Sequence, residues 1–329
     1  MRLCQCHYDG GELLALVLDD ETLVNVSALI TQERPGTPAV PNLMLDLIEQ
    51  GEEGLEALAG VERLVAADPE MARKYRLDPE KTRIKAPLHN PPKFFSLAIN
   101  QGEGWRRATK PEQPVPLYFI KIQTAITGPY DPIIIPDIGD VGCEVELAII
   151  IGKGGKNIPV SQAMDHVFGY TVHNDITAHA LRKKSEWIQS NRKDGSSERL
   201  TYPGRYKNFD TFSPMGPYIR LASPDFDPES LEMKAFLNDD MIQQGNSNDY
   251  IFKFAEVIAY LSQAHTLTPG DIISSGTCPY VDPWTMAKTN LAGGHLVSEI
   301  EGIGRLRNPI ERIEPSGEKV VFSFRNAEA

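Results

Sequence analysis

Cys143-Glu144-Val145-Glu146-Leu147 opens a run that stays apolar as far as Ile151. A strand alternates its side chains with a period of two, so Glu144 and Glu146 share one face, about 7 Å apart along it. Like charges beside a buried strand are costly unless a cation or a proton neutralises them. Asp175 ends a second apolar stretch, Tyr170-Thr171-Val172-His173-Asn174, from which a carboxylate can face the same opening. Three oxygen ligands leave half an octahedron free and select a hard cation, Mg²⁺ or Mn²⁺, with the open positions held by water or substrate. Two plainer alternatives stand beside this one. Glu-x-Glu can be a solvated strand end, and Asp175 can cap a helix that begins near Ala178.

The elements that must position these groups are mostly strands. Leu13–Val17 and Leu23–Val26 alternate as short strands around a polar turn, and a helical stretch follows from Leu43 to about Glu70. The proline-rich run from Lys85 to Lys93 marks a boundary, giving a small N-terminal α+β domain over 1–85 and a larger domain over 86–329. Beyond it, strands are expected at Phe94–Ile99, Leu117–Lys121, Ile133–Ile135, Glu144–Ile151, Gly169–His173 and Ile272–Ile273, with helical spacing at Phe254, Val257, Ile258 and Leu261. The polar stretch from Lys183 to Arg205 has no apolar periodicity and reads as an ordered insertion or a mobile flap beside the site. The fold class is therefore α+β and β-dominated.

With 45 acidic against 33 basic residues the net charge is −12, and no basic run alternates with aromatics, so nucleic acid is not an expected partner. No stretch nears the roughly 18 apolar residues of a membrane-spanning helix, and no basic head with an apolar run opens the chain. Four cysteines without a Cys-x-x-Cys pair suit a reducing compartment. A cytoplasmic protein acting on a small molecule is the expectation.

Several segments, in order, resemble the fumarylacetoacetate hydrolase superfamily: Glu144-Val-Glu146 to Lys153, Gly169 to Ala178, Lys207 to Pro217, Gln243 to Phe252, Leu267 to Thr277 and Glu299 to Pro309. The resemblance implies a mixed β-sandwich roll, a homodimer, and Mg²⁺, Mn²⁺ or sometimes Ca²⁺ on Glu144, Glu146 and Asp175. It also implies anionic substrates, 2-oxo acids or 1,3-diketones, whose two oxygens chelate the ion so that an enolate is stabilised. Lys207 takes the position of the family's active-site lysine, and Thr277 that of a threonine touching the substrate carboxylate. Gln243 and Asp249 hold family positions that read as structural.

The chain departs from that pattern in two places. Hydrolases and decarboxylases of the family carry Asn-Tyr-x-x-His-x-x-Glu in the first loop, whereas Asn100 here is followed by Gly104 and Arg107 at the histidine and glutamate positions. Glu103 is the candidate replacement acid or base, and Arg106 a candidate anion contact. After Asp175, the family's Ala-Arg-Asp-x-Gln reads Ala178-His179-Ala180-Leu181-Arg182. His179 is thus a second candidate base and Arg182 a substrate contact. Hydrolysis of a C–C bond is the leading expectation, with dehydration, isomerisation or decarboxylation, or a silent ligand-binding role, as alternatives.

Overall fold

In a computed structural model, described here for residues 1–19, 22–102, 115–282 and 290–313, one large sheet carries the site. Its strands neighbour one another in the order β3 (Thr22–Asn25), β2 (Gly11–Asp19), β1 (Arg2–Tyr8), β13 (Ser213–Leu221), β10 (Val167–Asn174), β9 (Val145–Ile151), β16 (Ile272–Thr277), β5 (Phe94–Ala98) and β6 (Leu117–Ile120). Two short strands hang from it, β4 (Thr82–Ile84) on β1 and β7 (Ile126–Thr127) on β13. A second sheet runs β15 (Asp240–Asn246), β14 (Glu232–Leu237), β17 (Gly294–Ile300), β18 (Gly304–Arg312) and β8 (Ile133–Ile135).

All seven residues of β9 are buried, because both faces of this strand are covered. Val145, Leu147, Ile149 and Ile151 point into a core shared with the second sheet and the helix Phe254–Ala264, where they meet Leu296, Leu306, Val257 and Leu261. Ala148 and Ile150 point the other way, into a core built with Leu3, Leu16, Leu47, Leu58 and Ile219. Each such aliphatic side chain contributes about 1.5–3 kcal/mol on burial, so β9 is held from both sides and its register is strongly fixed.

Residues 1–85 extend the large sheet, with β1 antiparallel to β13 through Arg2↔Arg220 and Leu3↔Ile219. Their helices cover one of its faces and share a core with Ile150 and Ile272. The helical stretch expected over 43–70 is broken. Gly51, at φ +67°, ends the helix Met44–Gln50 and begins Glu52–Ala67, a conformation that glycine adopts without the Cβ clash of other residues. Of the two readings of 183–205, the ordered insertion holds: β11 (Trp187–Asn191) and β12 (Ser197–Thr201) form a two-stranded hairpin, and Arg199 stacks over the Trp187 ring at 4.2 Å. The hairpin lacked an apolar signature because residues on both of its faces are largely exposed.

Candidate metal centre

Glu146 lies in β9 directly opposite His173 of β10, and Glu144 is just outside the strand on the same side. The Asp175 N–H donates to Glu144 O at 2.9 Å, which ties the segment after β10 to the entrance of β9. The result brings Glu144, Glu146 and Asp175 together, with one carboxylate oxygen from each within 4.8 Å of the others. Glu146 and Asp175 are buried at 1% exposure and Glu144 is partly open at 18%. Asp175 does not cap the following helix: Ala178 holds that place in front of His179–Lys184 and makes no side-chain cap bond.

Two lysines meet this cluster. The Lys207 ammonium donates to Glu144 Oε2 at 2.6 Å and to Asp175 Oδ2. Lys121, fully buried, donates to Asp175 Oδ1 at 2.8 Å, to Phe212 O at 3.1 Å and to Lys207 O. Lys121 was not singled out from the sequence. A lysine directly after a short strand looks like a surface residue, and only the fold turns it inward. Burial would raise the Asp175 pKa, but the Lys121 and Lys207 charges outweigh it and hold the group down to about 2. Glu146 is pushed up to about 8 by burial and by the Asp175 and Glu144 charges. Burial opposes the charged form of Lys207 as well, yet Asp175 and Glu144 win and raise it.

A polar band lies on the same face of the large sheet. Ser274 Oγ donates to Glu146 Oε2, Ser96 Oγ stands 3.5 Å from the same oxygen, and His173 Nδ1 lies 2.7 Å from Ser274 Oγ. All three residues are fully buried or nearly so. Burial lowers the His173 pKa to about 3, so the imidazole is neutral. This band escaped the sequence reading, since it joins β5, β16, β9 and β10 only once their pairing is known.

On the second-sheet side, Gln243 Oε1 accepts from the Val145 N–H at 3.0 Å, and its Nε2 donates to Thr277 Oγ1 at 2.8 Å and Cys278 O at 2.9 Å. Thr277 stands opposite Glu146 in the β9–β16 pairing, so the amide fixes the hydroxyl beside the carboxylates. His179 is 6% exposed and its ring packs on Gly142, where an added Cβ would fall 2.5 Å from Nε2. That nitrogen has no hydrogen-bond partner among the described residues. Burial first, then the Lys207 and Arg182 charges, lower its pKa to about 4 and keep it neutral. Arg182 is exposed on the helix and forms no ion pair with the carboxylates among the described residues. Glu103 and Arg106 lie outside the described residues.

The donor set fits a divalent ion. Three oxygen ligands match a hard cation, an ammonium already sits between two of them, and Glu146, whose pKa is raised first by burial and then by the Asp175 and Glu144 charges, gains from a dication that offsets both. No helix among the described residues is long and apolar enough to cross a membrane.

Residues 94–311 match the family described as fumarylacetoacetate (FAA) hydrolase C-terminal. The mitochondrial oxaloacetate tautomerase of Xenopus laevis is 34% identical over 275 residues, covering 83% of this chain and 80% of that protein. Among solved structures, maleylpyruvate hydrolase from Sphingobium sp. SYK-6, in complex with manganese(II) and pyruvate, superposes with a TM-score of 0.69 at 28% identity, over 95% of this chain and 100% of that one. The 2-hydroxyhepta-2,4-diene-1,7-dioate isomerase of Mycobacterium marinum superposes with a TM-score of 0.65 at 27% identity, over 95% of this chain and 98% of that one.

Proposed function

The chain belongs to the fumarylacetoacetate hydrolase family, and from that premise we propose a divalent-metal-dependent enzyme that moves a proton at the carbon beside the oxo group of a small 2-oxo acid. Keto–enol tautomerisation is the reaction it would perform. The observation that carries the reading is the buried cluster of Glu144, Glu146 and Asp175 with the Lys207 ammonium lodged in it. Glu144, Glu146 and Asp175 would hold Mg²⁺ or Mn²⁺, and the bound ion would act as a Lewis acid toward the oxo and carboxylate oxygens of the substrate.

The remaining roles fall to side chains of the chain itself. Lys207, kept charged by its two carboxylates, would hydrogen-bond the oxygen on which negative charge grows. The Thr277 hydroxyl, held by Gln243, would contact the substrate carboxylate. His179 offers an imidazole nitrogen without a protein partner among the described residues and is the candidate carrier for the transferred proton. Two things favour proton transfer over attack by water: likeness to oxaloacetate tautomerases, and Gly104 and Arg107 at the positions where hydrolases carry the His-Glu pair. Four free, buried cysteines support a reducing compartment such as the cytoplasm, and a homodimer is the proposed assembly.

The test follows the decay of enol-oxaloacetate with Mg²⁺ and with chelator. Acceleration by Mg²⁺ that the chelator abolishes supports the proposal, and no acceleration with Mg²⁺ removes it. Likeness to the manganese- and pyruvate-bound maleylpyruvate hydrolase favours C–C hydrolysis as a second reading. Loss of the diketone absorbance of an acylpyruvate, with stoichiometric pyruvate release, would install that reading instead.

A further inference from the structure

Glu146 differs from the other two carboxylates in how its oxygens are used. Oε2 accepts from Ser274 Oγ and has Ser96 Oγ 3.5 Å away, while Oε1 has no hydrogen bond among the described residues. Ser274 has one hydroxyl hydrogen. When Glu146 is a metal ligand it is a carboxylate, able only to accept, so that hydrogen goes to Oε2. The hydroxyl oxygen must then accept, and His173 Nδ1 at 2.7 Å is its donor. The ring of His173 is itself fixed by edge contact with Phe94, 5.0 Å between centroids. Every member of this chain is buried on a strand: His173 on β10, Ser274 on β16, Ser96 on β5 and Glu146 on β9.

We propose that Ser274 and His173 are positioning residues that clamp Glu146 in single-oxygen coordination, and so set the preference of the centre for Mg²⁺ and Mn²⁺ over Ca²⁺. The inference rests on the metal-centre reading given above and adds its selectivity. With Oε2 engaged by Ser274 and Ser96, Oε1 is the oxygen left without a hydrogen bond among the described residues and so the one most readily offered to an ion. Mg²⁺ demands six ligands in a near-ideal octahedron and is served by single oxygens, whereas Ca²⁺ takes six to eight and gains from carboxylates that bind through both. Fixing the rotation of Glu146 therefore withholds from Ca²⁺ the ligand it would gain. Supporting hydrogen bonds of this kind change metal affinity by about 10–100-fold when removed.

The experiment is calorimetric titration of the chelator-stripped full chain with Mg²⁺, Mn²⁺ and Ca²⁺, with thermal melts to verify folding. Ser274→Ala and His173→Phe should each weaken Mg²⁺ and Mn²⁺ by about 10-fold or more and leave Ca²⁺ within about 3-fold, moving the Ca²⁺/Mg²⁺ affinity ratio toward Ca²⁺. Ser274→Thr keeps the hydroxyl, and His173→Asn can offer an amide N–H near the place of Nδ1, so both should keep the wild-type ratio. Should Ser274→Ala fail to fold, the His173→Phe and His173→Asn pair still decides. An unchanged ratio in the Ala and Phe variants, or an equal loss for all three ions that the conservative variants do not rescue, overturns the clamp. Failure of the wild-type chain to bind any of the ions overturns the metal centre and the clamp together, so the two failures are distinct.

Discussion

Lys207→Met separates metal binding from chemistry, and the two should move in opposite directions. The Lys207 ammonium sits 2.6 Å from Glu144 Oε2 and is hydrogen-bonded to Asp175 Oδ2, on two of the three carboxylates that would hold a divalent ion. Two unit charges at a separation on the order of 4 Å repel by about 4 kcal/mol at an effective dielectric near 20, and a dication doubles this. Most of that is relieved if the flexible side chain withdraws when the ion enters. Retaining about a sixth, roughly 1.4 kcal/mol, predicts Mg²⁺ binding about tenfold tighter in Lys207→Met. Turnover should fall by ~10²–10³, the usual effect of removing one donor to a developing oxyanion. Calorimetric titration with Mg²⁺ and the tautomerisation assay read the two quantities on the same preparation. Mg²⁺ binding that weakens tenfold, or turnover that stays within about threefold of wild type, would refute the reasoning.

Glu146→Ala should abolish stoichiometric Mg²⁺ binding by calorimetry while the circular dichroism of the fold persists; retained binding would mean that the carboxylate is no ligand. Glu146 also sets a pH dependence. Its folded pKa of about 8 stands above the ordinary 4.5, so the stability its protonated form contributes is fully present below 4.5 and is lost as pH rises through 8. Metal-free stability should decline across that window, while Mg²⁺ affinity rises by up to about tenfold per pH unit as the competing proton leaves; a pH-independent Mg²⁺ affinity between 6 and 8 would count against it. Lys121→Met removes one partner of a buried ion pair and should cost about 3–5 kcal/mol in chelator, less with saturating Mg²⁺, and equal losses of melting temperature in both conditions would argue that Asp175 holds no ion. Replacing the exposed hairpin Trp187–Thr201 by a short Gly-Ser linker should leave the melting temperature within a few degrees, since little apolar surface is buried there.

How much of this was legible in the sequence depended on the range of each signal. Glu144 and Glu146 were legible because strand alternation acts within three residues, and the apolar run to Ile151 announced a strand covered on both sides. The homologous segments placed Asp175 and Lys207, and the structure brings both to the cluster. Lys121, His173, Ser274 and Ser96 were not legible, because each looks ordinary alone and acquires a partner only across strands 50 to 128 residues apart. The insertion at 183–205 was legible but its two strands were not, for the converse reason: a polar two-stranded ribbon buries neither face and leaves no alternation to read. His179 was singled out as a departure from the family, and its burial against Gly142 is what the fold adds.

The alternation of β9 carries a consequence for mutation that substitution tables do not capture. The strand addresses two cores on alternate residues and the carboxylate centre at one end, so reading frame, in the sense of sheet register, is itself a functional variable. Deleting one residue between Leu147 and Ile151 would set the part of the strand beyond the gap out of phase with Glu146. Strand and site could then satisfy their neighbours only at each other's expense. Single-residue indels in this segment should be far more damaging than most of its point substitutions, and paired indels that restore the frame should recover metal binding before they recover full stability.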